Sequence, residues 1–129
     1  MSTRSLIGLQ LPDGTILAIY CHNDGQLSVN GRLLRDNYTT EEKVVDLLHL
    51  GNLSSLAATL EDCFSYRRDG GLGDDQEAEF VENRQKFIES GNLVDFLYLF
   101  RKDQWWYLSV GKHKNFRRMN EVVFELTSN

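Results

Sequence analysis

Residues 4–22, RSLIGLQL-PDG-TILAIYCH, constrain the fold more than any other stretch. Two runs of aliphatic and β-branched residues flank Pro-Asp-Gly. Proline presets the first turn position, and glycine supplies the positive φ that the turn needs. The reading is a β-hairpin. In its second strand the period of two puts Leu17, Ile19 and Cys21 on one face and Ala18, Tyr20 and His22 on the other. Asn23-Asp24-Gly25 then ends the strand.

A second hairpin is expected in residues 93–110, LVDFLYLFRKDQWWYLSV, with Arg101-Lys102-Asp103-Gln104 at its turn. Between the hairpins the period changes. Val44, Val45, Leu47 and Leu48 form an apolar stripe behind a capping pair, Thr39 and Glu42, and Gly51 follows as a stop, so a helix is expected at about 40–50. Residues 28–38 suit a short helix, with Val29, Leu33 and Leu34 inward. Residues 52–64 read as a loop with a turn or two of helix, and 65–75, SYRRDGGLGDD, as a glycine-rich mobile loop. Residues 74–90 read as a helix with Phe80, Val81, Phe87 and Ile88 on one stripe and its acids near the N-terminus. The tail, 117–129, fits either a short helix or a last strand.

This order predicts a single α+β domain over 1–129, an antiparallel sheet built from the N- and C-terminal hairpins and packed against two to four helices. A chain of 129 residues with 41% hydrophobic and 26% charged residues can bury a core without cross-links. The formal charge of -5 has the wrong sign for a protein whose main task is gripping nucleic-acid backbone, so nucleic acid is not the expected partner. No apolar run can span a membrane. Two widely spaced cysteines without a secretory signal read as reduced thiols in a cytoplasm.

IYCHNDG, residues 19–25, invites a catalytic reading because it crowds a thiol, an imidazole and a carboxylate together. Strand geometry opposes it: Cys21 and His22 point to opposite faces, and a free cysteine is usually a small core residue. No HxH, HExxH or CxxC spacing supports a metal. No catalytic residue, metal or cofactor is therefore assigned, and the balance is against an enzyme. Tyr20, His22 and Asp24 share the other side of the strand end. Hairpin pairing brings Arg4 and Ser5 next to them, which makes an anion-recognising corner, with an Arg4–Asp24 salt bridge as the alternative. Trp105 and Trp106 lie on opposite faces of their strand, one for the core and one free to stack on a base. Arg67-Arg68 and the group Lys112, Lys114, Arg117 and Arg118 are the basic concentrations. The candidate ligand residues are thus Arg4, Ser5, Tyr20, His22, Asp24, Trp105, Trp106 and Arg67, with Arg4, the strand end and a tryptophan forming one pocket.

The chain resembles a group of small proteins of tailed bacteriophages and prophages that begin with a TRS-x-IG strand and continue through DG…IYCHxDG, NG-x-L-L…Y and LGxLSSL. The matching residues are Thr3 to Gly8, Asp13-Gly14, Ile19 to Gly25, Asn30-Gly31 with Leu33-Leu34 and Tyr38, and Leu50 to Leu56. A C-terminal RKDxxWY is matched by Arg101-Lys102-Asp103 and Trp106-Tyr107. The similarity covers most of the chain and is weakest over 64–90. Members often carry Trp where Asn23 stands. The resemblance implies a phage accessory protein made in the host cytoplasm and used against host defence, most simply as a non-catalytic binder that sequesters a small nucleotide-derived signal. The alternative is inhibition of a host defence protein through an acidic helix at 74–82. An exposed sheet edge would also permit a homodimer.

Overall fold

The computed structural model describes residues 2–119. The first hairpin is strand β1 (Ser5–Gln10) and strand β2 (Ile16–Cys21), paired Ser5 to Cys21 through Gln10 to Ile16. Its turn closes as the sequence requires. Gly14 has φ +93°, and the Asp13 carboxylate accepts from the Thr15 amide at 3.0 Å and its hydroxyl at 2.7 Å. Those two bonds hold the Asp13 carboxyl below its ordinary pKa. The second hairpin is β6 (Phe96–Arg101) and β7 (Gln104–Ser109), joined by Lys102 and Asp103 at φ 51° and 61°. Two consecutive positive φ values match the twist of a two-residue hairpin turn.

The hairpins join in parallel, β1 to β6, from Ser5–Phe96 to Leu9–Phe100. Asp95 fixes the junction: its carboxylate accepts from the Arg4 amide at 2.9 Å, and the Arg4 carbonyl accepts from the Asp95 and Phe96 amides. The fold is α+β, with a mostly antiparallel sheet in the order β4 (Phe64–Ser65), β3 (Leu53–Ser55), β2, β1, β6, β7, β8 (Arg117–Arg118) and a further strand, β5 (Glu79–Val81), also on β2. Both hairpins are antiparallel as expected, and two pairings that join other elements, β1–β6 and β2–β3, are parallel.

Segments between the hairpins differ from the sequence reading in two places. Residues 52–64 contain β3 (Leu53–Ser55), and β4 (Phe64–Ser65) follows, instead of a helical turn. The helix expected at 74–90 is split into a 3-10 turn (Asp74–Gln76), strand β5 (Glu79–Val81) and helix α3 (Arg84–Glu89). The reason is the outer edge of β2. Its first half pairs with β5, the Tyr20 amide donates to Asn52 Oδ1 at 2.9 Å, and the His22 amide donates to the Leu53 carbonyl. Satisfying those backbone groups outweighs the helical pattern. Asn83 then caps α3, accepting from the Lys86 amide at 2.9 Å.

Helix α1 (Arg32–Asn37) follows a π-helical turn at Leu27–Gly31, and α2 (Glu41–Leu48) lies close to its expected position. Its cap is Thr40, which accepts from the Lys43 amide, and not Thr39. Of the tail, β8 (Arg117–Arg118) pairs with β7; Val122, Val123 and Leu126 lie outside the described residues.

Both faces of the sheet are covered. One carries Ile7, Leu9, Ile19, Cys21, Tyr98, Phe100, Trp105 and Tyr107 and packs on α1 and α2 through Leu34, Val44, Leu47 and Leu48. The other carries Ile16, Ala18, Leu97, Leu99 and Leu108 and packs on Phe87 of α3 and on Val94. This second face positions the site described next.

Candidate functional site

The strand-end corner assembles as pairing predicts, and most of it is spent on structure. Cys21 is fully buried on the α1/α2 face, where Sγ donates to the Asn23 carbonyl at 3.6 Å and accepts from Asn30 Nδ2 at 3.5 Å. Burial pushes its thiol up to about 11, which leaves almost no thiolate at neutral pH. On the opposite face the Tyr20 hydroxyl and His22 Nδ1 are hydrogen-bonded at 2.7 Å. Burial raises the Tyr20 hydroxyl pKa, and the nearby Arg4 charge opposes that shift. Asn23 ties the loop down, donating to the Ser54 carbonyl at 2.9 Å and accepting from Ser2 at 2.8 Å. Asp24 is exposed at φ 59° and makes no ion pair with Arg4. Ser5 is buried, and its hydroxyl has no partner among the described residues.

Trp105 and Trp106 do not join that corner. They stand on β7, three strands from β2, or about 14 Å at ordinary strand spacing. The single pocket expected from Arg4, the strand end and a tryptophan is therefore not formed. Trp105 is a core residue: Nε1 donates to the Tyr38 carbonyl at 2.8 Å, and its ring meets Phe100 edge-on. Arg67 is elsewhere again, held by Glu77 at 3.0 Å and by the His49 carbonyl at 2.8 Å beside the end of α2. Arg68 bonds Asp69 and the carbonyls of Leu60 and Cys63, so the glycine-rich loop is pinned by its own arginines.

Arg67 and Trp105 line clefts that also hold a carboxylate, Glu77 and Asp103 respectively, whereas Trp106 lines one whose lining has none. The cleft, about 460 Å³, lies on the α3 face between Trp106, Arg84, Gln85 and Ile88, with Asn115 and Phe116 as its far wall. Phe116 stacks on Phe87 at 6.1 Å and 8°, which anchors that wall to the core. The Arg101 guanidinium sits 5.4 Å from the indole centroid, a cation over one ring face. Trp106 Nε1, Arg101 Nε and Gln10 Oε1 are all buried without a hydrogen-bond partner among the described residues. Such groups each cost about 1–3 kcal/mol when left unpaired, so three of them on this one face mark an incomplete polar environment.

Charge separates this cleft from the others. Four further clefts each include a carboxylate: Asp36 and Asp46 in one, Glu77 in the second, Asp103 in the third, Glu41 and Asp103 in the fourth. The Trp106 cleft has an arginine, two carboxamides, an aliphatic and two aromatic side chains, and no acid. In a chain with nineteen Asp and Glu against fourteen Lys and Arg, it is the one of these five clefts whose lining sets no carboxylate against an anion. Sequence reasoning named Trp106 but missed Arg84, Asn115 and Phe116, which only the packing of α3 against the sheet brings together. Their one signal was the basic run after β7.

The molecule is thus an α+β domain with an acid-free, tryptophan-lined cleft on one sheet face. No protein-family model, curated protein or solved structure matches the chain. Among the described residues no group of His, Cys, Asp and Glu is placed to hold a metal, and no helix is long and apolar enough to cross a membrane.

Proposed function

We propose that this chain is a non-catalytic binder of a small nucleotide-type ligand, seated in the Trp106 cleft. The observation that carries the reading is a half-buried indole beside a cation in a cleft without carboxylates. An aromatic base gains by stacking on the indole, Arg84 meets a phosphate, and the Gln85 and Asn115 carboxamides supply donors and acceptors to base or sugar. The cleft volume is in the range of small-molecule sites. Binding without chemistry fits the reactive groups: Cys21 is buried and protonated, and the Nδ1 atoms of His22 and His113 are engaged by Tyr20 and the Ser109 amide. The resemblance to phage accessory proteins supports the setting, sequestration of a nucleotide-derived defence signal in a host cytoplasm. The rival reading, inhibition through an acidic helix at 74–82, loses its helix to the 3-10 turn and β5.

Isothermal titration with AMP, ADP-ribose and cyclic dinucleotides tests this. At least one binds with one-to-one stoichiometry, and Trp106→Leu or Arg84→Glu weakens it about ten- to hundred-fold, as loss of one stacked base or one charged contact does. Arg4→Ala and Arg67→Ala leave the affinity unchanged. No heat with any of these compounds refutes the reading, and a loss on Arg4→Ala returns the site to the strand-end corner.

A further inference from the structure

The basic segment beyond β7 extends the cleft. Residues 110–119, VGKHKNFRRM, carry Lys112, Lys114, Arg117 and Arg118 and no acid. All four cations are exposed, and none makes an ion pair among the described residues, whereas Arg67, Arg68 and Lys86 each do. The segment is held in place: the Lys112 and His113 amides donate to the Ser109 carbonyl, Gly111 turns at φ +85°, and Asn115 and Phe116 form the cleft wall. Register then sets Arg118 across from Trp106 and Arg117 across from Tyr107. Arg118 also lines a neighbouring cleft of about 430 Å³ around the sheet edge, where Arg35 and Arg118 face one carboxylate, Asp103. Cations therefore lead from the stacking residue across β8 into a second cleft.

We propose that the Trp106 cleft is one end of a track for a linear ligand with several phosphates, a short single-stranded oligonucleotide whose terminal base stacks on Trp106 and whose following phosphates run along Lys114 and Arg118. This rests on the reading of the cleft as a nucleotide site. One stacking platform joined to a strip of unpaired cations is how single strands are held, since stacking needs an unpaired base and the cations follow the backbone. A duplex has no unpaired base to offer Trp106, and a mononucleotide leaves the strip unused. The ring of His113 packs edge-on against Tyr107 at 5.7 Å. Its pKa is lowered, by burial first and then by Arg117 and Lys112, so phosphates arriving on the strip raise it again.

Titration of the full chain with AMP and with 5′-phosphorylated tri-adenylate, followed by tryptophan fluorescence between about 50 and about 200 mM salt, tests the track. The trinucleotide binds at least about ten-fold more tightly than AMP, with a steeper salt dependence, close to -0.7 in log–log slope per phosphate engaged. The double charge reversal Lys114→Glu, Arg118→Glu brings trinucleotide affinity down to the AMP level. Since both residues are exposed, an unchanged melting curve confirms that the variant is folded. Equal affinity for AMP and trinucleotide overturns the track and leaves the mononucleotide site standing. Binding of neither overturns both.

Discussion

Replacing Phe87 by alanine lowers stability by about 3–5 kcal/mol, the usual cost of removing a buried phenylalanine, while Phe80→Ala stays within about 0.5 kcal/mol, as surface changes do. Phe87 has no exposed surface and is the main side chain that α3 inserts against Ile16, Leu97, Leu99 and Leu108. Its ring also fills the space above Gly8, where an added Cβ would lie 3.1 Å from Phe87 Cζ. Among the described residues α3 is the one α-helix whose side chains enter this cluster, so little is at hand to refill the cavity. Phe80 is 72% exposed on β5. A shared helical stripe predicts comparable losses for the two, so parallel denaturant melts separate the arrangements cleanly. Phe87→Ala also removes the support of Phe116, so if the Trp106 cleft is the proposed nucleotide site, the variant loses binding even under conditions where it remains folded.

Gly51→Ala is the second large effect, and Gly111→Ala is its control. Both glycines have positive φ, +75° and +85°, a conformation that costs an L-residue about 1–2 kcal/mol. At Gly111 nothing lies within 4 Å of an added Cβ, so that is the whole penalty. At Gly51 the Cβ would meet the Gln76 carbonyl oxygen at 2.3 Å. That oxygen is backbone and accepts from the Asn52 amide at 2.7 Å, so it cannot turn aside without breaking the bond that anchors the 74–76 turn. Gly51→Ala therefore destabilises by clearly more than Gly111→Ala in thermal or denaturant unfolding. Equal losses would mean that the turn does not rest on the end of α2.

These two sites show where the sequence is informative and where it is silent. Both hairpins and α2 are legible because each is long enough to display its own period and carries its own turn or stop, Asp13-Gly14, Lys102-Asp103 and Gly51, although the cap of α2 is Thr40 and not the expected Thr39. Strand β5 is three residues long and exists because β2 has an edge to fill, a demand made by residues sixty positions earlier. Phe80 and Phe87 are seven apart, which imitates two helical turns, and periodicity has no means to discount the coincidence. The candidate site divides in the same way. Strand alternation correctly sends Cys21 to the core and separates it from His22. It also puts Trp105 and Trp106 on opposite faces, but which one is buried depends on α1, whose Tyr38 carbonyl receives the Trp105 indole. Alternation could not show what surrounds Arg4 and Arg67: the Arg4 backbone docks β6 through Asp95 while its side chain is exposed, and Arg67 is paired with Glu77.

The electrostatic picture that results is a protein with net negative charge that carries a group of exposed cations, Lys112, Lys114, Arg117 and Arg118, at the sheet edge beside its acid-free cleft. Arg84 and Arg101 flank the indole, and Lys114 and Arg118 lead away from it. Uncompensated like charges held near one another destabilise a surface slightly, so they are retained more readily where an anion arrives to neutralise them.

The two indole groups report directly on this account. Trp105 Nε1 is buried and bonded to Tyr38, whereas Trp106 Nε1 has no hydrogen-bond partner among the described residues. In a ¹H–¹⁵N correlation spectrum of the full chain, titration with AMP shifts the Trp106 indole resonance, assigned by Trp106→Leu, and leaves that of Trp105 in place. If neither indole moves at saturating, millimolar AMP, or if the largest shifts fall on the amides of Arg4 and residues 20–24, the Trp106 cleft is not the binding site.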